Sequence, residues 1–329
     1  MKHSWFCSAI VAVAMVLIAA CDFRMQQGVS LAGEVPRPLT VAFIGDQGTG
    51  VNARRVLELI RAEGADLVLH QGDLGYGDPP EKWDALITDI LGAEFPYFAT
   101  IGNHDVNHWY GAGGYQEFLQ ARLDRIEAAN CSGDLGVQAA CSYRGLFFIQ
   151  SGIGTLPNEP DHPDHIAFLR EKLTRSKAPW KVCSWHKVQR IMHVGRYRDK
   201  VGWAAYEACR EAGALIATAH WHSYSRTYLM DGFELPSIAS ATSSTLHIAE
   251  GRTFAFVSGL GGESIRDQDR TDPWWAAIYT ENQDASYGAL FCSFSQDSDH
   301  HRASCYFKDI NGFVPDRFGL ISELQYPDA

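Results

Sequence analysis

The chain has 329 residues, 46% of them hydrophobic and 20% charged, with a formal net charge of −11. That is enough apolar sequence for a large core, built as one domain of two packed layers or as two domains. The acidic balance gives no general attraction to nucleic acid or anionic lipid, so nucleic acid is not expected as a partner.

Residues 1–20 read as an export signal. Lys2 supplies a positive charge, and Ala9–Ala20 is an apolar run too short for a comfortable membrane span. The run closes on Leu17-Ile18-Ala19-Ala20-Cys21. This resembles a bacterial lipobox, in which Cys21 is acylated and becomes the mature N-terminus; an ordinary signal peptide with a chance cysteine is the alternative. On the lipobox reading the protein is periplasmic or at the cell surface and is held to a membrane by its lipid alone. Residues 21–37 read as a flexible tether with Gln, Gly, Ser and two Pro and no periodicity. Residues 38–329 are left as the folded domain.

Leu39–Ile44 is a mostly apolar run, predicted as a buried strand that delivers Asp46 at its carboxyl end. Val56, Leu57 and Ile60 share one face of a predicted helix. Asp66–His70 is a second strand, ending near Asp73. Trp83–Leu91 is a helix, and Pro96–Ile101 a third strand ending at Asn103. This alternation implies a mostly parallel sheet covered by helices, with each polar block just past a strand's carboxyl end, where ligands bind in open α/β sheets. A helix is predicted over Gln116–Ala129, followed by a Gly- and Ser-containing loop and a strand at Leu146–Gln150. A helix at His165–Ser176, a strand at Trp180–Trp185 leading into His186, a helix at Trp203–Ala212 and a strand at Ala214–Ala219 leading into His220 come next. From there strands without intervening helices are predicted at Tyr228–Leu235, Phe254–Val257, Gly288–Ser295 and Ser304–Lys308. They are expected to form a second, mostly antiparallel sheet on the same core.

Export would place the six cysteines of the folded domain in an oxidising space. Cys292 and Cys305 flank a polar turn between two apolar strands, and Cys131 and Cys141 would close a short loop, so both pairs are disulfide candidates. Cys183 and Cys209 have no assigned partner; Cys183 lies in an apolar strand and could be a buried free thiol. With no Cys-x-x-Cys pair, a thiolate zinc site is not expected.

Five polar blocks run through the chain in order: Gly45-Asp46-Gln47-Gly48, Gly72-Asp73-Leu74-Gly75-Tyr76, Gly102-Asn103-His104-Asp105, Val182-Cys183-Ser184-Trp185-His186 and His220-Trp221-His222. Two Asp, one Asn, three His and one Tyr suit two neighbouring metal ions, which can activate a water and grip a phosphate. The blocks resemble those of the calcineurin-like metallophosphoesterases, and among them the purple acid phosphatases, over about Thr40–Arg226.

The resemblance implies a sandwich of two mixed β-sheets flanked by helices, a four-layer αββα fold with two metal ions at the sheet ends. It implies that Asp46, Tyr76 and His222 bind the first metal, that Asp73 bridges, and that Asn103, His186 and His220 bind the second. Fe(III) is implied at the Tyr76 position, because a phenolate is a hard oxygen donor, with Fe(II), Zn or Mn at the other. His104 would protonate the leaving group, with Asp105 orienting its imidazole. Asn103 and His193 would contact substrate. His220 and His222 alternate on a strand-like segment, so both could point to one side. The family usually has Gly where Ala219 stands, a change that matters only if that backbone has positive φ. Gly259, Gly261 and Gly262 read as a tight turn at the site's edge.

The implied activity is hydrolysis of a small phosphorylated substrate, a monoester, by a metal-activated hydroxide. A phosphodiesterase acting on nucleotides or phospholipid headgroups would use the same site. A binding lipoprotein without catalysis is the third reading, and the intact ligand set speaks against it.

Overall fold

A computed structural model describes residues 37–156, 163–198, 201–295 and 301–324. The chain divides into two units, Met1–Glu34 and Val35–Ala329. The export signal, Cys21 and nearly all of the tether lie outside the described residues.

Strands β1 (Leu39–Ile44), β2 (Leu67–His70) and β3 (Tyr97–Ala99) run parallel and alternate with helices α1 (Val51–Ala62) and α2 (Pro80–Leu91). Their near-continuous apolar sequences follow from burial on both faces. Helix α3 (Tyr115–Leu123) leads to β4 (Ala129–Asp134), β5 (Gln138–Tyr143) and β6 (Leu146–Ser151). Helix α4 (Pro163–Arg175), β7 (Trp180–Trp185), α5 (Trp203–Glu211) and β8 (Leu215–Thr218) restore the alternation, and β6, β7 and β8 are parallel. Nine further strands follow among the described residues: β9 (Tyr224–Thr227), β10 (Leu229–Gly232), β11 (Ser237–Ser240), β12 (Thr245–Ile248), β13 (Ala255–Ser258), β14 (Trp275–Tyr279), β15 (Gly288–Phe294), β16 (Arg302–Asp309) and β17 (Asp316–Ser322).

Among the described residues these strands make two large mixed sheets. One runs β12-β17-β16-β15-β1-β2-β3, the other β14-β9-β13-β8-β7-β6-β5-β4, and β10 pairs only with β11. Helices α1, α2 and α3 pack with the first sheet, and α4 and α5 with the second, which gives the αββα sandwich. Aromatic side chains interlock between the sheets: Phe43 meets Phe256 edge-on at 5.2 Å, Phe98 meets Phe148 at 4.7 Å, and Trp180 meets Phe294 at 5.0 Å. A second apolar layer, including Leu169, Leu173, Trp185 and Tyr206, lies under α4 and α5.

Two expectations from sequence are corrected, and one open alternative is decided. Helix α3 stops at Leu123, because the following residues turn and enter β4, whose partner β5 is bonded to it through Cys131 and Cys141. The C-terminal strands do not form one sheet together: β15, β16 and β17 extend the first sheet beside β1, β9, β13 and β14 extend the second beside β8, and only β10 and β11 pair apart from both. Cys183 is not a free thiol; it is bonded to Cys209 and fastens β7 to α5. The Cys292–Cys305 bond joins directly paired residues of the β15–β16 hairpin, as expected. Among the described residues no helix is long and apolar enough to cross a membrane. Three disulfides suit an oxidising, extracytoplasmic setting.

Candidate metal centre

The loops after β1, β2, β3, β7 and β8 converge at the carboxyl ends of those strands. They approach closely because glycine stands where they touch. A Cβ on Gly72, which has φ +86, would lie 2.8 Å from Gly102 Cα and 2.9 Å from His186 Cβ, and one on Gly102 would lie 2.0 Å from the Asp73 nitrogen. Asp46 and Asp73 themselves take left-handed backbone, with φ of 56° and 60°. Such strain persists where the surroundings over-determine it, as at binding sites.

Two clusters of donor atoms result, sharing Asp73. In one, the Tyr76 hydroxyl lies 3.0 Å from Asp46 Oδ1, 3.3 Å from Asp73 Oδ2 and 3.3 Å from His222 Nε2, while His222 Nε2 is 3.3 Å from Asp46 Oδ1. In the other, His186 Nε2 lies 3.2 Å from Asp73 Oδ2, 3.2 Å from Asn103 Oδ1 and 3.1 Å from His220 Nδ1. Asp73, His186 and His220 each aim one donor atom into a space less than 4.8 Å across. His186 uses Nδ1–H to donate to the Gln71 carbonyl at 2.8 Å, and His222 Nδ1–H faces the Ser264 hydroxyl at 2.8 Å. Each Nε2 is then left with a lone pair turned inward.

The electrostatics suit cations. Burial alone would raise the Asp73 carboxyl, but the charge and hydrogen bond of His186 and the His104 N–H hold it below the usual range. Burial favours neutral His186, yet Asp73 and Asp46 draw it up to about 9. His220 is pushed far down by burial and by His186. Burial, then the charges of Asp46 and Asp73, raise the Tyr76 hydroxyl well above its ordinary value. Buried anions and inward lone pairs that must share a proton on His186 are a donor set that a cation satisfies better, displacing protons as it binds. The residues present therefore fit two metal ions, with oxygen donors weighted to the Tyr76 side and imidazoles to the other.

The other site residues are placed as follows. His104 is half exposed; its ring packs on Tyr76 at 4.4 Å, its Nε2 lies 4.0 Å from Asp73 Oδ2, and its N–H donates to Asp73 Oδ1 at 2.9 Å. Asp105 does not orient that imidazole. It is fully buried and faces the other way, accepting from the N–H groups of Gly102 at 2.7 Å, Leu74 at 2.8 Å and Asp73 at 2.9 Å. Burial and the Asp73 charge push it up to about 7, and the backbone N–H groups oppose this by favouring the ionised form. Asp105 thus braces the loops that carry Asp73 and Asn103. His193 also departs from expectation. It is fully buried, 5.6 Å from the Trp221 ring, and its Nδ1 accepts from Gly195 N–H, so it has no surface to offer a substrate.

The His220–His222 segment is not strand-like. His220 is left-handed at φ 70, and Trp221 and Ser223 donate back to carbonyls two residues earlier. This bend sends His220 to one cluster and His222 to the other. Ala219 is not among the positive-φ residues, so its replacement of the usual glycine costs nothing there. The close approach is relieved at Gly45 instead, where a Cβ would lie 2.3 Å from Ala219 Cβ. The Gly259–Gly262 turn does edge the site: Gly261 N–H donates to the Gly45 carbonyl, and Gly259 N–H to the Ser223 carbonyl.

The sequence profile of the family described as calcineurin-like phosphoesterase matches residues 39–224. The chain belongs to that family. A stretch of 161 residues is 27% identical to Purple acid phosphatase 21 of Arabidopsis thaliana, covering 45% of this chain and 35% of that protein, so the match spans about a third of the plant relative. Among solved structures, the yellow lupin (Lupinus luteus) purple acid phosphatase PPD1 superposes with a TM-score of 0.64 at 16% identity, over 88% of this chain and 55% of that one. GAP50, described as the anchor in the inner membrane complex of Plasmodium, superposes with a TM-score of 0.57 at 14% identity, over 88% of this chain and 92% of that one. At these identities the structural likeness is one of fold.

Two residues that join this site carry no motif. Ser264 orients His222, and Tyr197 lies flat against His220 with ring centroids 4.5 Å apart. Both come from loops distant in sequence from the ligands they touch, and no local signal marks them.

Proposed function

We propose that the protein is an exported, lipid-anchored binuclear metallophosphoesterase that hydrolyses phosphate monoesters. The observation that carries the reading is the pair of donor clusters joined by one carboxylate, Asp73, whose Oδ2 faces Tyr76 on one side and His186 on the other. Bound there, two cations would supply positive charge for the phosphoryl oxygens and a nucleophile at neutral pH. The remaining work falls to side chains. His104, exposed beside Tyr76, holds a proton for the departing alkoxide. Asp105 keeps the two ligand loops together. Iron at the Tyr76 position is part of the proposal, because a phenolic oxygen with two carboxylates makes a hard donor set. The lipid anchor rests on Cys21 and its flanking sequence.

A non-catalytic binding role is the competing reading, raised by the fold shared with an anchoring protein. It gives no reason for seven inward-facing donor side chains. Metal content separates the two. The purified protein is expected to hold about two metal ions, iron among them, and Asp73→Ala to lose both. Elemental analysis that finds two ions retained in that variant would refute the bridging role, and an absence of metal from the wild type would refute the proposal.

A further inference from the structure

Metal-binding histidines are usually oriented by a hydrogen bond from the ring nitrogen that does not face the metal. His186 and His222 follow this rule, through the Gln71 carbonyl and through Ser264. His220 does not. Its Nδ1 faces His186 and its backbone N–H donates to Asp46 Oδ2 at 2.8 Å, but among the described residues nothing accepts from its Nε2. Its ring is held by a different contact: the Tyr197 ring lies against it at 4.5 Å with an interplanar angle of 28°.

Tyr197 is itself fixed from several sides. The Arg266 guanidinium donates to its hydroxyl and sits 4.9 Å from its ring centroid and 5.1 Å from that of Trp221. Trp221 meets the Tyr197 ring edge-on at 4.9 Å. The Arg266 N–H donates to the His222 carbonyl, so the arginine is anchored to the same bend that carries both histidines. The loops bearing Tyr197 and Arg266 are further joined by Arg196, which pairs with Asp267 at 2.9 Å and Asp269 at 3.0 Å.

We infer that Tyr197, clamped by Arg266, is a positioning residue that sets the His220 imidazole by ring stacking in place of the missing hydrogen bond. The inference rests on the metal-centre reading above. An aromatic face restricts rotation of a neighbouring ring through offset stacking, and a guanidinium over the outer aromatic pair adds cation–π attraction. The hydroxyl of Tyr197 serves to hold the clamp; the ring does the orienting.

The test is calorimetric titration of metal-stripped protein with Zn²⁺, alongside thermal melting in chelator to confirm that each variant folds. Wild type is expected to bind two ions. Tyr197→Leu should weaken one of them by roughly 10–100-fold, the usual scale for an outer ligand partner, and leave the other within about threefold. Tyr197→Phe, which keeps the ring, should hold both affinities within about threefold of wild type, and Arg266→Met should fall between Phe and Leu. Two ions bound unchanged by Tyr197→Leu would overturn this inference and leave the metal-centre reading standing. Equal losses in Tyr197→Phe and Tyr197→Leu would assign the effect to the hydroxyl and also overturn it. A wild type that binds no ion would overturn both.

Discussion

Replacing His104 with alanine is expected to cut hydrolysis of an alkyl phosphate monoester by roughly 10²–10⁴-fold, the range for loss of a general acid. Metal content should not change. The contact from residue 104 to Asp73 is made by the backbone N–H, which alanine keeps, and the imidazole Nε2 stands 4.0 Å from the carboxylate. The ring is half exposed, so its loss opens no buried cavity. The effect should shrink as the leaving group becomes more acidic, because a stable anion departs without a proton. Comparison of alkyl and nitrophenyl phosphates measures this, and an equal loss on both would remove His104 from the role. Asp105, turned towards the backbone of Gly102 and Asp73, cannot relay through His104. Asp105→Asn should therefore act by loosening the two loops, with weaker metal binding and not merely slower turnover.

The largest expected loss of stability lies between the sheets. Arg226 on β9 is fully buried and forms a two-pronged pair with Asp316 on β17, Nε to Oδ2 at 2.7 Å and Nη2 to Oδ1 at 2.9 Å. Tyr224 donates its hydroxyl to the same Oδ2 at 2.6 Å, and the guanidinium lies 4.0 Å from the Phe318 ring centroid. Burial disfavours the charged guanidinium, but the hydrogen bond and charge of Asp316 reverse this and raise its proton affinity above the ordinary value. Asp316→Ala would strand that charge without its partner, at a cost of about 3–5 kcal/mol. For a domain of this size the melting temperature should fall by roughly 5–10 °C. Arg226→Met combined with Asp316→Leu should recover most of the loss, since a well-packed apolar pair avoids the desolvation cost. A melting temperature unchanged by Asp316→Ala alone would show that solvent reaches the guanidinium.

The legible parts of this fold share a cause. Leu39–Ile44 and Trp180–Trp185 are bounded correctly from sequence because a strand buried on both faces is largely apolar, with Thr40, Lys181 and Ser184 the polar exceptions within them. Strand β4 was missed because Ala-Asn-Cys-Ser-Gly-Asp is half exposed and carries no apolar alternation; only its pairing with β5 and its disulfide make it a strand. Assignment of the C-terminal strands to a single second sheet fails for another reason. Strand identity is local, but partner choice depends on contacts such as β1 with β15, more than two hundred residues apart. At the site, the structure brings together side chains named from compact blocks, since each block lies at the carboxyl end of a strand. Asp105 and His193 were misread because motif spacing says nothing about which way a side chain turns. Tyr197, Ser264 and Arg266 had no block at all.

Hydrolysis by the metal-loaded protein tests the central claim most directly. Supplied with iron and zinc, it should release nitrophenol from nitrophenyl phosphate faster than from bis(nitrophenyl) phosphate, and Asp73→Ala should do neither. Two bound metal ions with no hydrolysis of either ester would contradict the account and make the protein a binding member of its family.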